Sequence, residues 1–286
     1  MTRALLSLLA GLVALPALAL EPRIVSAGGT ATEILYALGA QGGLVGVDTT
    51  SLYPAAAQGH TSIGYVRNLS AEGVVSLNPT LVIAAAEAGP PPILAQIKAA
   101  GIPVLPLVDG YTEDAVLTRI GQIGAAIGKK PEAAKLQDSV RRDLAAVRQA
   151  LGGIKERPKV LFVLSAARGL VVAGDDTSAG TMIALAGGQN AVTGFTGYKP
   201  LTPEALLAAA PDVILTASHV VAALGSLDAL TQHPNLTLTP AVKEGRIIVR
   251  DALFLLGFGP RLGSAVLDLA RALHPNAGLP KLAALP

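Results

Sequence analysis

The sequence predicts an α/β protein of two Rossmann-like lobes, each built on a central, mostly parallel sheet, joined by one long α-helix, with a ligand cleft between the lobes. Three observations predict it. Short apolar runs without polar alternation recur between helical stretches in both halves, the pattern of strands in a sheet covered on both faces. Between about Thr112 and Leu151 strand signals vanish and a long amphipathic helix takes over. Finally, one passage is written twice, at residues 64–84 and 197–216. With one residue deleted, Gly64-Tyr65 aligns with Gly197-Tyr198, Leu69 with Leu201, Glu72 with Glu204 and Pro79 with Pro211. Each copy runs from a Gly-Tyr turn through a short capped helix carrying a carboxylate to a Pro-marked approach to an apolar strand.

In chain order, Ile24-Val25-Ser26 reads as a strand, Gly28-Gly29 as a turn, and Thr30 to Leu38 as a helix opened by Thr and closed by Gly39. Leu44–Val47 and Leu81–Ala84 read as strands, Ile93–Ala100 as a helix stopped by Gly101, and Val104–Leu107 as a strand. Ala115–Ile127 is helical. Pro131–Leu151 is a second helix, with Pro at its start, Leu136, Val140, Leu144 and Val147 at helical spacing, and Gly152-Gly153 at its end. Its other face carries Lys135, Asp138, Arg141, Arg142, Asp143 and Arg148, a solvated surface on a stiff strut. After Pro158 the alternation resumes: strand Lys159–Leu164, helix Thr177–Ala186, strand Val213–Leu215, helix Leu227–Thr231, strand Arg246–Val249 and helix Leu262–Leu273. These place an N-terminal lobe at 20–127, the linking helix and its connection at 128–157, and a C-terminal lobe at 158–286. Ligands of open α/β sheets bind beyond the strands' carboxyl ends, so two such edges facing one another make a cleft.

Composition limits the function classes. The chain has 286 residues, 51% hydrophobic and only 15% charged, which excludes a disordered chain. A net charge of +2 with 3% aromatic residues offers neither a phosphate-binding footprint nor a base-stacking platform for nucleic acid. Residues 1–19 combine Arg3, an apolar run from Ala4 to Val13, Pro16 and Ala17-Leu18-Ala19, the layout of a secretory signal peptide cleaved near Ala19. The alternative, a membrane-anchoring helix, needs a longer run. No cysteine is present, hence no disulfide framework and no lipid-bearing cysteine after the leader. A soluble, monomeric resident of a bacterial periplasm is the expectation.

Catalytic patterns find little support: there is no Cys nucleophile, Gly-x-Ser-x-Gly elbow, His-Glu-x-x-His or phosphate loop, and Gly28-Gly29-Thr30 lacks the third glycine of a dinucleotide fingerprint. His60, His219, His233 and His274 are too dispersed for a local metal motif. The expectation is a binding protein, not an enzyme. Tyr65 is the residue least explained as core. A turn tyrosine commonly half-buries its ring and pairs its hydroxyl with backbone; the sharper reading is a phenolate donor to Fe(III), with Arg67 two positions on favouring the ionised form.

The stretch Gly64-Tyr65-Val66-Arg67-Asn68-Leu69-Ser70-Ala71-Glu72-Gly73 resembles that of periplasmic haem-binding proteins of ABC haem importers, within the helical-strut class that also includes cobalamin- and siderophore-binding proteins. The likeness extends over the mature chain, through Gly28-Gly29-Thr30 with Glu33-Ile34, Val172-Ala173-Gly174, Leu185-Ala186-Gly187-Gly188 and Leu255-Leu256-Gly257-Phe258-Gly259-Pro260-Arg261. It implies capture of haem b as transported ligand, Tyr65 as axial iron ligand with Arg67 beside it, and delivery to an inner-membrane permease dimer with its ATPase subunits. It further implies that Glu72 and Glu204 dock on arginines of that permease, one carboxylate per lobe for a two-fold partner. As first-turn or capping-box carboxylates both would also serve their own helices. Some family members add a histidine from the second lobe, but Ser165-Ala166-Ala167-Arg168-Gly169 contains none. His219 is the substitute candidate, as sixth ligand or propionate partner. Arg168, Tyr198, Lys199 and Arg261 are candidate propionate partners, and Phe258 a candidate apolar wall. A site for cobalamin or a ferric siderophore is the alternative.

Overall fold

The structure, a computed structural model, describes residues 22–167 and 169–279, so the leader expected at 1–19 and Arg168 lie outside the described residues. The first lobe contains β1 (Ile24–Ala27), α1 (Gly29–Ala37), β2 (Leu44–Val47), α2 (Ala71–Val75), β3 (Leu81–Ala84), α3 (Pro91–Ala99) and β4 (Val104–Pro106). Its strands form a four-stranded sheet in the order β2-β1-β3-β4, every pair parallel. All four residues of β1 are buried, which is why this strand shows no polar alternation. Helices α4 (Glu113–Ala126) and α5 (Lys130–Leu151) follow. The second lobe contains β5 (Lys159–Ser165), β6 (Val171–Ala173), α6 (Ser178–Leu185), β7 (Gln189–Asn190), β8 (Tyr198–Pro200), α7 (Pro203–Ala209), β9 (Val213–Ala217), α8 (Ser218–Leu224), α9 (Leu227–Thr231), α10 (Pro240–Lys243), β10 (Ile247–Arg250), α11 (Ala252–Leu256) and α12 (Leu262–Leu273). Its sheet runs β10-β9-β5-β6-β8, with β7 beside β5. Strands β7, β9 and β10 join in parallel, whereas β6 and β8 are antiparallel, so this sheet is mixed.

Local chemistry explains most boundaries. Thr112, Thr177, Thr202 and Asp251 each accept a hydrogen bond from a backbone N–H three residues on, opening α4, α6, α7 and α11. Each such cap contributes about 1 kcal/mol. The first helix departs from expectation: it starts at Gly29 after Gly28, which has φ 138°, and Thr30 is not its cap. A Cβ on Gly28 would fall 2.5 Å from that of Ala85, so glycine is required by both backbone angle and space. The antiparallel β6 and β8 were not foreseen, because three-residue strands carry too few positions to show a period.

Helix α5 buries Ala133, Val140, Leu144, Val147 and Leu151 and leaves Leu136 half-buried, so the expected stripe faces inward. Burial of each large side chain contributes about 1.5–3 kcal/mol. That stripe belongs to one apolar cluster uniting Ile34, Leu35 and Ile120 of the first lobe with Phe162, Ile183 and Phe258 of the second. Two further clusters lie within one lobe each, one around Val25, Val82 and Ile97 and one around Leu161, Leu206 and Leu230. The central core thus crosses the boundary between lobes, an arrangement that favours small relative motion.

Candidate functional site

The two sheets meet through the segment that follows α11. Thr30 Oγ1 donates to the Gly257 carbonyl at 2.7 Å, and the Arg119 guanidinium donates to the Phe258 carbonyl at 3.1 Å. Arg261 grips Glu33 with two nitrogens, at 2.9 and 3.0 Å, and lies 3.5 Å from the centre of the Tyr53 ring. Glu33 is nearly covered, with its side chain 5% exposed, and Arg261 is 18% exposed. A bidentate, desolvated pair of this kind is strongly destabilised when one partner is removed, because the other charge stays buried. Residues 257–261 therefore form a polar seam between the lobes.

Above the seam lie the loops at the strands' carboxyl ends. All the large apolar side chains exposed on the described first lobe fall there: Leu52, Tyr53 and Tyr65 after β2, and Val108 and Tyr111 after β4. The loop after β2 is organised by buried Asp48, which accepts from the Gly28 and Thr50 backbone N–H groups and from the Ser51 hydroxyl, each at 2.9 Å. Residues 62–69 then cross the edge of the sheet. They start beside β2, where Ser62 bridges Val47 and the Thr49 N–H donates to the Gly64 carbonyl. They end beside the β3 loop, where Leu69 donates to Gly89 and Gly89 to Val66. Val66 and Leu69 point into the core, so the intervening side chains point out.

Tyr65 is 48% exposed, and its hydroxyl makes no hydrogen bond among the described residues. The half-buried, backbone-paired alternative is not what this position shows. Arg67 is exposed and within electrostatic reach of Tyr111. The Tyr111 hydroxyl also senses Asp109, Glu87 and, from the second lobe, Tyr198; burial first and then these neighbours raise its pKa, against Arg67. The ring of Phe258, from the second lobe, lies 5.5 Å from that of Tyr111, so the two lobes meet here. Arg119, buried beneath, has its pKa lowered by burial and its Nε unpartnered among the described residues. As a guanidinium it remains charged, and Glu87 and Asp109 partly offset that buried charge.

Several of the expected cleft residues are engaged within the protein. Arg261 is committed to Glu33 and Tyr53 in the seam, and Phe258, 2% exposed, is covered by the Tyr111 ring at 5.5 Å. Neither lines an open wall; the backbone of 257–261 turns both inward to join the lobes. Tyr198 and Lys199 are consecutive on β8 and so face opposite sides of the sheet. Tyr198 packs on the shared core, its hydroxyl 3.1 Å from that of Ser178, whereas Lys199 lies over Phe195 on the outer side. His219 is exposed at the start of α8, in a hollow of about 120 Å³ with Leu164, Ser165 and Ala167. That volume is far below the roughly 300–1,000 Å³ of a small-molecule pocket. A larger hollow of about 600 Å³, lined by Lys155, Arg246 and His274, sits where β10 begins, at the end opposite the carboxyl edges.

Glu72 and Glu204 occupy corresponding exposed places in the first turns of α2 and α7. Neither closes a capping box: Ser70 accepts from Gly73 and Thr202 from Ala205, and both carboxylates make no hydrogen bond among the described residues. Glu33, Arg119, Tyr111 and Glu87 were not singled out as site residues from sequence. The sequence includes Glu33 only in the resemblance, and an arginine within the mostly apolar run of residues 115–127 is the one signal it offers for Arg119.

Two α/β lobes, a connecting helix and an exposed aromatic edge between them define a two-lobed ligand-binding protein. Residues 24–252 match the periplasmic binding protein family, and the chain belongs to it. The periplasmic heme-binding protein RhuT from Roseiflexus sp. RS-1, in apo form, superposes with a TM-score of 0.86 at 43% identity, over 90% of this chain and 99% of that one. The periplasmic heme-binding protein BhuT in complex with two hemes gives 0.85 at 43% identity, with the same coverage. An uncharacterized ABC transporter substrate-binding lipoprotein, YvrC of Bacillus subtilis (strain 168), is 32% identical over 90% of this chain and 81% of its own length. A cobalamin-binding protein of Halobacterium salinarum stands further off at 26%. Among the described residues no helix is long and apolar enough to cross a membrane.

Proposed function

We propose that this protein captures haem in the cleft between its lobes and delivers it to an ABC permease dimer of the inner membrane. The observation that carries this reading is Tyr65: an exposed phenol with no hydrogen-bond partner among the described residues, set on the carboxyl edge of the first sheet two positions before exposed Arg67. Its phenolate is a hard anionic donor suited to Fe(III), and axial tyrosine is an established haem ligand. The likeness to RhuT and BhuT at 43% identity supports haem over cobalamin, whose binding relative is less similar. Residues 20–127 and 158–286 are the lobes, 128–157 the strut, and 1–19 a leader removed near Ala19, giving a soluble periplasmic monomer. Glu72 and Glu204 are the permease-docking carboxylates.

Hemin titration followed by absorption spectroscopy tests the ligand and its contact. The wild type should show a ferric tyrosinate spectrum, and Tyr65→Phe should lose that signature. The same spectrum in both proteins would remove Tyr65 from the iron. Displacement of hemin by equimolar cobalamin would favour the second reading, and the titration end point separates one haem from the two that BhuT holds.

A further inference from the structure

Tyr111 is an aromatic side chain placed where no core requirement puts it. The residue is 37% exposed on the loop after β4, and its ring packs in a tilted pair with Phe258 at a centroid distance of 5.5 Å and an interplanar angle of 56°. The support beneath is unusually constrained. Phe258 is 2% exposed yet has φ 49°, a left-handed backbone that a bulky L-residue rarely adopts. Such a conformation persists only when its surroundings over-determine it, and it concentrates at ligand sites. Here the surroundings are the buried Arg119, which holds the Phe258 carbonyl at 3.1 Å, and the adjoining hydrogen bond from Thr30 to Gly257. The observed conformation fixes a buried phenyl ring under an exposed phenol at the junction of the lobes, with Arg67 and Tyr198 close enough to act on that phenol electrostatically.

We propose that the Tyr111 ring, propped on Phe258, is a shelf that packs against the porphyrin macrocycle and helps select a flat aromatic ligand. The proposal rests on the haem reading and deepens it. Tyr65 supplies the iron contact, and Tyr111 supplies contact with the ring system that is independent of iron. Aromatic packing of this kind, together with the area it removes from water, is of a size to change affinity about tenfold.

The test uses iron-free protoporphyrin IX, followed by its fluorescence, beside hemin, with Tyr111→Ala, Tyr111→Phe and Tyr65→Phe in the mature chain. Tyr111→Ala should weaken both ligands about tenfold, while its saturated hemin complex keeps the tyrosinate spectrum. Tyr111→Phe, which keeps the ring, should stay within about twofold of wild type for both, and also guards against a folding defect in the alanine variant. Tyr65→Phe should lose the hemin signature and retain protoporphyrin binding. Unchanged protoporphyrin affinity in Tyr111→Ala, or an equal loss in Tyr111→Phe, overturns the shelf. A wild type that binds neither ligand overturns the haem reading itself.

Discussion

The repeated passage folds alike in both lobes up to one point, and that point separates an open tyrosine from a structural one. Gly64 and Gly197 have nearly the same left-handed backbone, with φ of 85° and 82°. Each copy then opens a short helix with a hydroxyl cap, Ser70 or Thr202, and carries its Glu in the first turn. Each ends on a positive-φ residue before proline, Asn78 at 47° and Ala210 at 42°, and enters an apolar parallel strand. The tyrosines diverge. Tyr65 lies in a turn, exposed, with its hydroxyl free of partners among the described residues. Tyr198 begins β8, pairs antiparallel with Ala173 of β6, packs its ring 6.3 Å from Phe162 and bonds Ser178. The added antiparallel strands convert one turn tyrosine into a packing residue. Duplicated backbone therefore does not mean duplicated chemistry.

The largest expected effect lies beneath both copies. Glu33→Ala leaves the Arg261 guanidinium covered and unpaired, which should cost about 3–5 kcal/mol of stability in chemical denaturation. A loss below about 1 kcal/mol, the range of an exposed pair, would mean the seam does not join the lobes. Next, Tyr198→Phe removes the hydroxyl partner of Ser178 and should cost about 0.5–1.5 kcal/mol while hemin affinity is unchanged. A fall in hemin affinity would instead give Tyr198 a place at the ligand and erase the contrast with Tyr65. Smallest in stability are Glu72→Lys and Glu204→Lys, which should cost about 0.3–1 kcal/mol through the helix N-terminus. Both should keep hemin affinity and lose stimulation of permease ATP hydrolysis. Loss of hemin binding would assign the carboxylates to the cleft.

Much of this fold was legible because its signals are local. The α5 stripe, the buried run of β1 and the hydroxyl caps each declare themselves within a turn or two of chain. The β6 and β8 strands did not, being three residues each and stabilised by partners in the sheet. The seam was hidden for a stronger reason: Glu33 and Arg261 are 228 residues apart, and no period connects them. An isolated arginine near a helix start therefore looked like a free cation for a ligand carboxylate, when its charge was already matched. Tyr111 was missed because one aromatic in a polar loop carries no pattern; only Phe258 beneath it makes it notable.

Tyr65→Phe and Tyr198→Phe, titrated with hemin side by side, separate the open tyrosine from the structural one. The ferric tyrosinate spectrum should disappear in Tyr65→Phe and be retained in Tyr198→Phe. Retention in Tyr65→Phe, or loss in Tyr198→Phe, would contradict that separation.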